Sequence, residues 1–206
     1  MAEPPAKRFK AADCNDIIIV SVGREQKKYY LYPCDAKKTS DLFRNADTTG
    51  PPLNIPRFDP ETFDIYVEWM YDRNSALIAA KDSYEHLMEL YKLGEYLEDS
   101  AFRNMVMDTT IEIGVKPTWA KGNIEFQHLF LIASGAMHRL WIRVCAVSTK
   151  PTDVWVAGKG TLDDFFFRYL IEEYATMGGD PTKFRLPTME DRCDYHDHDA
   201  DEPRCT

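Results

Sequence analysis

Asp59-Pro-Glu-Thr-Phe-Asp-Ile-Tyr-Val-Glu-Trp-Met-Tyr71 is the stretch on which the fold turns. It opens as a helix: an Asp at the cap, a Pro at the first helical position, and an acid in the first turn, where the peptide dipoles present their positive end. Phe63, Tyr66, Val67 and Met70 follow at i, i+3, i+4 and i+7, so one face is apolar and must be covered. Two more helices follow it. One opens at Asp82 with Glu85 three residues on, the pattern of a capping box, and gathers Tyr84, Leu87, Leu90, Tyr91 and Leu97 on one face. The other opens near Asp99 or Ser100, uses Phe102, Met105, Val106 and Ile113, and is stopped by Gly114 and Pro117.

Upstream the periodicity changes. Ile17-Ile-Ile-Val20 with Ser21-Val22 is a β-branched run ended by Gly23, and Lys28-Tyr-Tyr-Leu-Tyr32 follows closely enough to predict a hairpin. Pro33, which has no N–H for a ladder, ends the second strand. A short helix is predicted over 40–46, a loop over 47–52, and a third strand at Leu53-Asn-Ile55. Downstream, 124–147 predicts two helices hinged near Ser134-Gly135, and 151–160 a loop. Thr161 with Asp164 then opens an aromatic-rich helix closed by Gly178-Gly179. Strands first and helices after give an α+β class: a small three-stranded sheet capped by a helical cluster, followed by an all-helical C-terminal extension.

Composition bounds the function. Of 206 residues 44% are hydrophobic and 29% charged, enough for the packed core of one domain with appendages or two small domains. A net charge of −9, from 25 Lys+Arg against 34 Asp+Glu, argues against nucleic acid as a partner. Seven acids and two arginines place −5 of that −9 within 189–206. The most apolar stretch, 126–147, is interrupted by His128, His138, Arg139 and Arg143, so no segment reaches the ~20 apolar residues of a membrane span. The N-terminal region lacks the apolar core of a secretory signal. Five cysteines, none in a CxxC, read as reduced thiols of a soluble intracellular protein.

With strands and helices in this order, residues 13–114 resemble a BTB/POZ domain, in particular the diverged BTB domains of filamentous fungi. Asp16 before the first apolar strand and Gly23 after it occupy family positions. Tyr29 and Leu31, then Ser40, Leu42 and Phe43, fall on the frame F-x-V-H-K-x-L-L-x-x-x-S-x-F-F. Asp59, Phe63, Trp69 and Tyr71 fit the family helix D-D-P-E-x-F-x-x-x-L-x-W-L-Y. Tyr91, Leu93 and Gly94 resemble Y-x-L-A-x-x-L, and Asn104-Met-Val-Met-Asp108 resembles L-x-N-x-V-M-D. The chain departs from the frame where Tyr32-Pro33 replaces His-Lys and Asp35-Ala36 replaces Leu-Leu. Asp16 therefore lacks the basic partner of the family's dimer-interface pocket, and 47–52 lacks the apolar-x-Glu element of many cullin-binding members. The resemblance implies a non-enzymatic protein–protein interaction module with protein partners, a homodimer among them. Its alternative is a substrate adaptor on a cullin scaffold of a ubiquitin ligase.

The domain organisation that follows is a flexible basic arm over 1–12, the BTB/POZ-like domain over 13–114, a helical extension over 115–180 and a disordered acidic tail over 181–206. In the arm, Lys7, Arg8 and Lys10 follow two prolines and resemble a short nuclear localisation signal, giving nucleus as the expected location, with cytoplasm second. Three consecutive phenylalanines, Phe165, Phe166 and Phe167, cannot share one helix face, because neighbours point ~100° apart. They are the expected partner contact.

No catalytic motif is present: no G-x-S-x-G, P-loop, G-x-G-x-x-G or H-E-x-x-H. Cys34 beside Asp35, Lys37 and Lys38 is expected to be an inert thiol, and His86, His128 and His138 packed or rim residues. Cys193, His196, His198 and Cys205 carry metal-capable side chains, but the acidic composition around them predicts a solvated tail. The expectation is therefore no catalytic residue, no metal and no cofactor. The alternative from a different class is an enzyme using a reactive Cys or a metal.

Overall fold

The computed structural model describes residues 16–73, 84–113, 135–148, 164–178, 185–198 and 205. Strand β1 (Ile18–Val22) pairs antiparallel with β2 (Lys27–Leu31) in a register running from Ile18↔Leu31 to Val22↔Lys27. Gly23 turns the hairpin at φ +75°, a region that side chains with a Cβ avoid. Its N–H donates to the Ile55 carbonyl at 3.0 Å, and a Cβ there would lie 3.0 Å from the Pro60 ring. Strand β3 (Leu53–Ile55) runs parallel to β1, so the mixed sheet has the order β2-β1-β3. Alternation sends Ile18, Val20, Val22, Leu31 and Ile55 to the buried face.

Helices α1 (Pro33–Thr39) and α2 (Asp41–Arg44) follow the hairpin. The sequence expectation placed only a strand terminator at Pro33. The same missing N–H that ends a strand suits the first helical position, and Asp35 at the start with Lys37 and Lys38 at the end complement the helix dipole. Then come α3 (Pro60–Tyr71), α4 (Tyr84–Tyr96), α5 (Ser100–Ile113), α6 (Gly135–Ser148), α7 (Asp164–Met177) and a short 3-10 helix (Met189–Asp194). The fold is α+β: a small three-stranded mixed sheet and, among the described residues, eight helices. Asp59 makes no side-chain cap bond, so α3 owes its start to Pro60. Asp99 does cap α5, accepting from the Phe102 N–H at 2.9 Å. Asp82 and the expected elements over 124–134 and 151–160 lie outside the described residues.

The core is aromatic. Tyr66 and Trp69 of α3 each bring their ring centroid to 4.9 Å from that of Phe102, and Phe63 meets Tyr29 edge-on at 4.7 Å. Such pairs add about 0.5–1.5 kcal/mol beyond the area they bury. Two buried polar groups tie the helices. Ser40 Oγ donates to the Leu97 carbonyl at 2.6 Å while accepting from the Phe43 N–H at 3.2 Å. Asp99, fully buried, also accepts from the Tyr66 hydroxyl at 3.0 Å. Ala136, Met137, Leu140, Trp141 and Val144 of α6 belong to this same core, and so does Tyr195. A second cluster, built from Ile142, Cys145, Phe166, Leu170 and Met177, joins α6 to α7.

The tail requires a correction. Residues 185–198, expected to be disordered, form a strap over α5 and α6. Arg185 grips Asp191 through two nitrogens at 2.6 and 2.8 Å, and Thr188 with Asp191 makes a capping box on the 3-10 helix. Tyr195 inserts into the core. Two acids that composition marks as solvated, Asp191 and Asp197, are here paired with Arg185 and Arg103.

Candidate functional site

The outward face of the sheet is the first candidate. Because residues alternate, Ile19 and its cross-strand partner Tyr30 share this face with Ile17 and Tyr32. Tyr30 is 60%, Tyr32 53% and Ile17 45% exposed. Tyr71, 49% exposed at the end of α3, accepts a 3.4 Å hydrogen bond from the Tyr32 N–H. That contact fixes its ring beside the strand. Partial burial pushes the Tyr71 hydroxyl above its ordinary pKa. Strand β2 is also an edge of the sheet, since β1 pairs with it on one side only. Large apolar side chains on an edge strand are a combination that proteins usually avoid unless something docks there.

The second candidate is where the strap meets α5. Asn104 binds the strap as a strand would, donating to the Asp197 carbonyl at 2.9 Å and accepting from the Asp197 N–H at 2.8 Å. Arg103 approaches the Asp197 carboxylate at 3.2 Å, and Arg139 donates to the Asp194 carbonyl at 3.1 Å. Asp108 holds His196 Nε2 at 2.7 Å. Beyond that contact the His196 Nδ1 lies 3.0 Å from Cys205 Sγ, and His198 Nε2 lies 3.2 Å from Cys193 Sγ and 3.5 Å from Cys205 Sγ. The Cys205 N–H donates to Cys193 Sγ at 3.1 Å. Partial burial first, and the neighbouring sulfur second, push the Cys205 thiol above its ordinary pKa.

The expected site residues divide between these places and the core. Asp16 is exposed and accepts from the Thr48 hydroxyl at 3.5 Å. Gly23 is the hairpin turn and Asp59 the residue before α3. Ser40, Phe43, Phe63 and Trp69 are core, with the Arg73 guanidinium 5.2 Å from the Trp69 ring. Of these positions only Tyr71 reaches the outward face. Phe166, at 4% exposure, is spent in the α6–α7 cluster, and Phe167 packs partly against it. The α6 surface thus takes up the Phe166 ring, while Phe167 stays half-buried beside it. Phe165 lies in α7, but its side chain is outside the described residues, as are Lys7, Arg8 and Lys10.

Cys34 faces its neighbour Asp35 at 3.8 Å, and Asp35 is paired with Lys38 at 2.7 Å. His138 packs edge-on against Tyr169 at 5.1 Å, and burial lowers its pKa. Among the described residues no helix is long and apolar enough to cross a membrane. The sequence signals that mattered at the strap were Asn104 and Asp108, whose partners stand about 90 positions away and so escape any local reading. Comparisons with family models, with curated proteins and with solved structures found no match to this chain.

Proposed function

We propose that this chain is a non-enzymatic protein–protein interaction module of the BTB/POZ type that works in the nucleus by self-association or partner docking. A small three-stranded sheet followed by a cluster of helices is the α+β layout the resemblance implies, and it supports that reading. The observation that carries the docking role is the exposure of Tyr30 and Tyr32 on the outward side of the edge strand, with Ile17 before β1 and Tyr71 at the end of α3 beside them. Tyrosines of this kind supply large contact area at low entropic cost. A second copy of the chain is the occupant that suits this face best. An edge strand can pair antiparallel with its own copy about a two-fold axis, and the two aromatic faces then meet as one isologous patch.

Light scattering on the size-fractionated full chain tests this. The expected mass is that of a dimer, falling to a monomer in Tyr30→Glu/Tyr32→Glu. A wild-type monomer across the micromolar range, or a dimer untouched by the double substitution, refutes self-association through this face. For the nuclear role, a fluorescent fusion carrying Lys7→Ala, Arg8→Ala and Lys10→Ala is expected to leave the nucleus. Unchanged distribution refutes it.

A further inference from the structure

We propose that Cys193, His196, His198 and Cys205 are the ligands of a structural zinc ion that clasps the strap to α5. This inference stands independently of the docking role. The spacing C-x2-H-x-H-x6-C confines all four to one short segment, 193–205. Cys193 Sγ, His198 Nε2 and Cys205 Sγ all lie within 4.8 Å of one another. A tetrahedral zinc with Zn–S near 2.3 Å and Zn–N near 2.05 Å separates its sulfur and nitrogen ligands by about 3.5 Å. Three of the four sulfur–nitrogen separations here are 3.0, 3.2 and 3.5 Å, with His196 joining the other three ligands through Cys205.

The hydrogen-bonding inventory favours a cation over a web of thiols and imidazoles. His198 Nε2 carries either one proton or one lone pair, yet two sulfurs approach it. His196 is oriented as a zinc-bound imidazole is: Asp108 takes the Nε2–H and leaves the Nδ1 lone pair toward Cys205 Sγ. The Cys205 N–H is already donated to Cys193 Sγ, the type of bond that stabilises a thiolate. Two thiolates and two neutral imidazoles balance a divalent charge, and soft sulfur with imidazole selects zinc over magnesium or calcium. Four protein ligands close the coordination sphere, so the role is structural. Binding would release one proton from each thiol and draw the strap onto α5.

The experiment uses the full chain, purified without chelator and without a histidine tag. Elemental analysis is expected to find one zinc per chain. Replacement by Co²⁺ is expected to give the visible bands of a tetrahedral ion with thiolate-to-cobalt charge transfer. Cys193→Ser and Cys205→Ser should lose both signals. Asp108→Asn keeps all four ligands and should weaken zinc about 10- to 100-fold in competition with a chelating dye. The proposal is overturned if folded wild-type protein, judged by near-UV dichroism, holds no zinc and gives no cobalt spectrum. Metal content unchanged in Cys193→Ser/Cys205→Ser, which marks an adventitious ion only, overturns it too. So does a Cys193–Cys205 disulfide in the intact mass of freshly purified protein.

Discussion

Replacing Asp99 by Ala tests the polar joint at the centre of the helical cluster. Asp99 is fully buried and does two things: it caps α5 through the Phe102 N–H at 2.9 Å and accepts the Tyr66 hydroxyl at 3.0 Å. Losing a cap costs about 1 kcal/mol. Leaving the Tyr66 hydroxyl buried without its acceptor costs about 1–3 kcal/mol more. The expected loss is therefore about 2–4 kcal/mol, a large share of the ~5–15 kcal/mol by which domains are stable. With a urea slope of about 2 kcal/mol per molar, the unfolding midpoint should fall by about 1–2 M. Tryptophan fluorescence suits the assay, because Trp69 is buried in contact distance of Phe102. Asp99→Asn keeps an acceptor oxygen and should cost clearly less. A double-mutant cycle with Tyr66→Phe should return a coupling of about 0.5–3 kcal/mol. If Asp99→Ala stayed within about 0.5 kcal/mol of wild type, as an ordinary surface change would, the joint would not be what holds α3 to α5.

Three further outcomes follow from the same contacts. Gly23→Ala should lower the melting temperature, since a side chain at φ +75° costs about 1–2 kcal/mol and its Cβ would press on Pro60 at 3.0 Å; an unchanged midpoint in a thermal scan would contradict this. Stability should fall in alkali: burial holds the Tyr66 hydroxyl protonated well above the ordinary range and pushes Tyr91 and Tyr195 up to about 12. The unfolded phenols ionise near pH ~10 while the folded ones keep their protons, so this stability is whole below about 10 and lost as pH rises toward 12; equal urea midpoints at about pH 9 and about pH 11 would count against it. Asn104→Ala removes both hydrogen bonds to Asp197, and amide exchange across 194–198 should accelerate while β1 keeps its protection; undiminished protection of the strap would show that Asn104 does not hold it.

The strands and the helices from α3 onward were legible because each rests on a local rule. Phe63, Tyr66 and Met70 bury as their spacing requires, and Leu87, Leu90, Tyr91 and Leu97 do the same on α4 and just beyond its end. At Pro33 one property has two structural uses, and only the following Asp35 and the Lys37–Lys38 pair favour the helix over a plain strand end. The strap was illegible for a different reason. Its acids read as solvent-facing in any local window, whereas the strap's partners are Arg103 on the Asp197 carboxylate, Asn104 and Arg139 on its backbone, and Asp108 on His196, all brought near only by the packing of α5 and α6. The outward apolar face could be read as alternation along β2. Its exposure depended on what the helices cover.

The strap also has a kinetic meaning. Asn104 and Asp197 meet across 93 positions of chain. Closing so long a loop carries an entropic cost that short-range contacts avoid, so this contact should form after the hairpin and the α4–α5 pair have assembled. Contacts made late are absent from the folding transition state, and weakening them leaves the folding rate nearly untouched while the unfolding rate rises. The last described segment thus acts as a latch on the native state's lifetime. How long the protein survives between openings should be set more by Asn104, Tyr195 and His196 than by the aromatic centre that directs its folding.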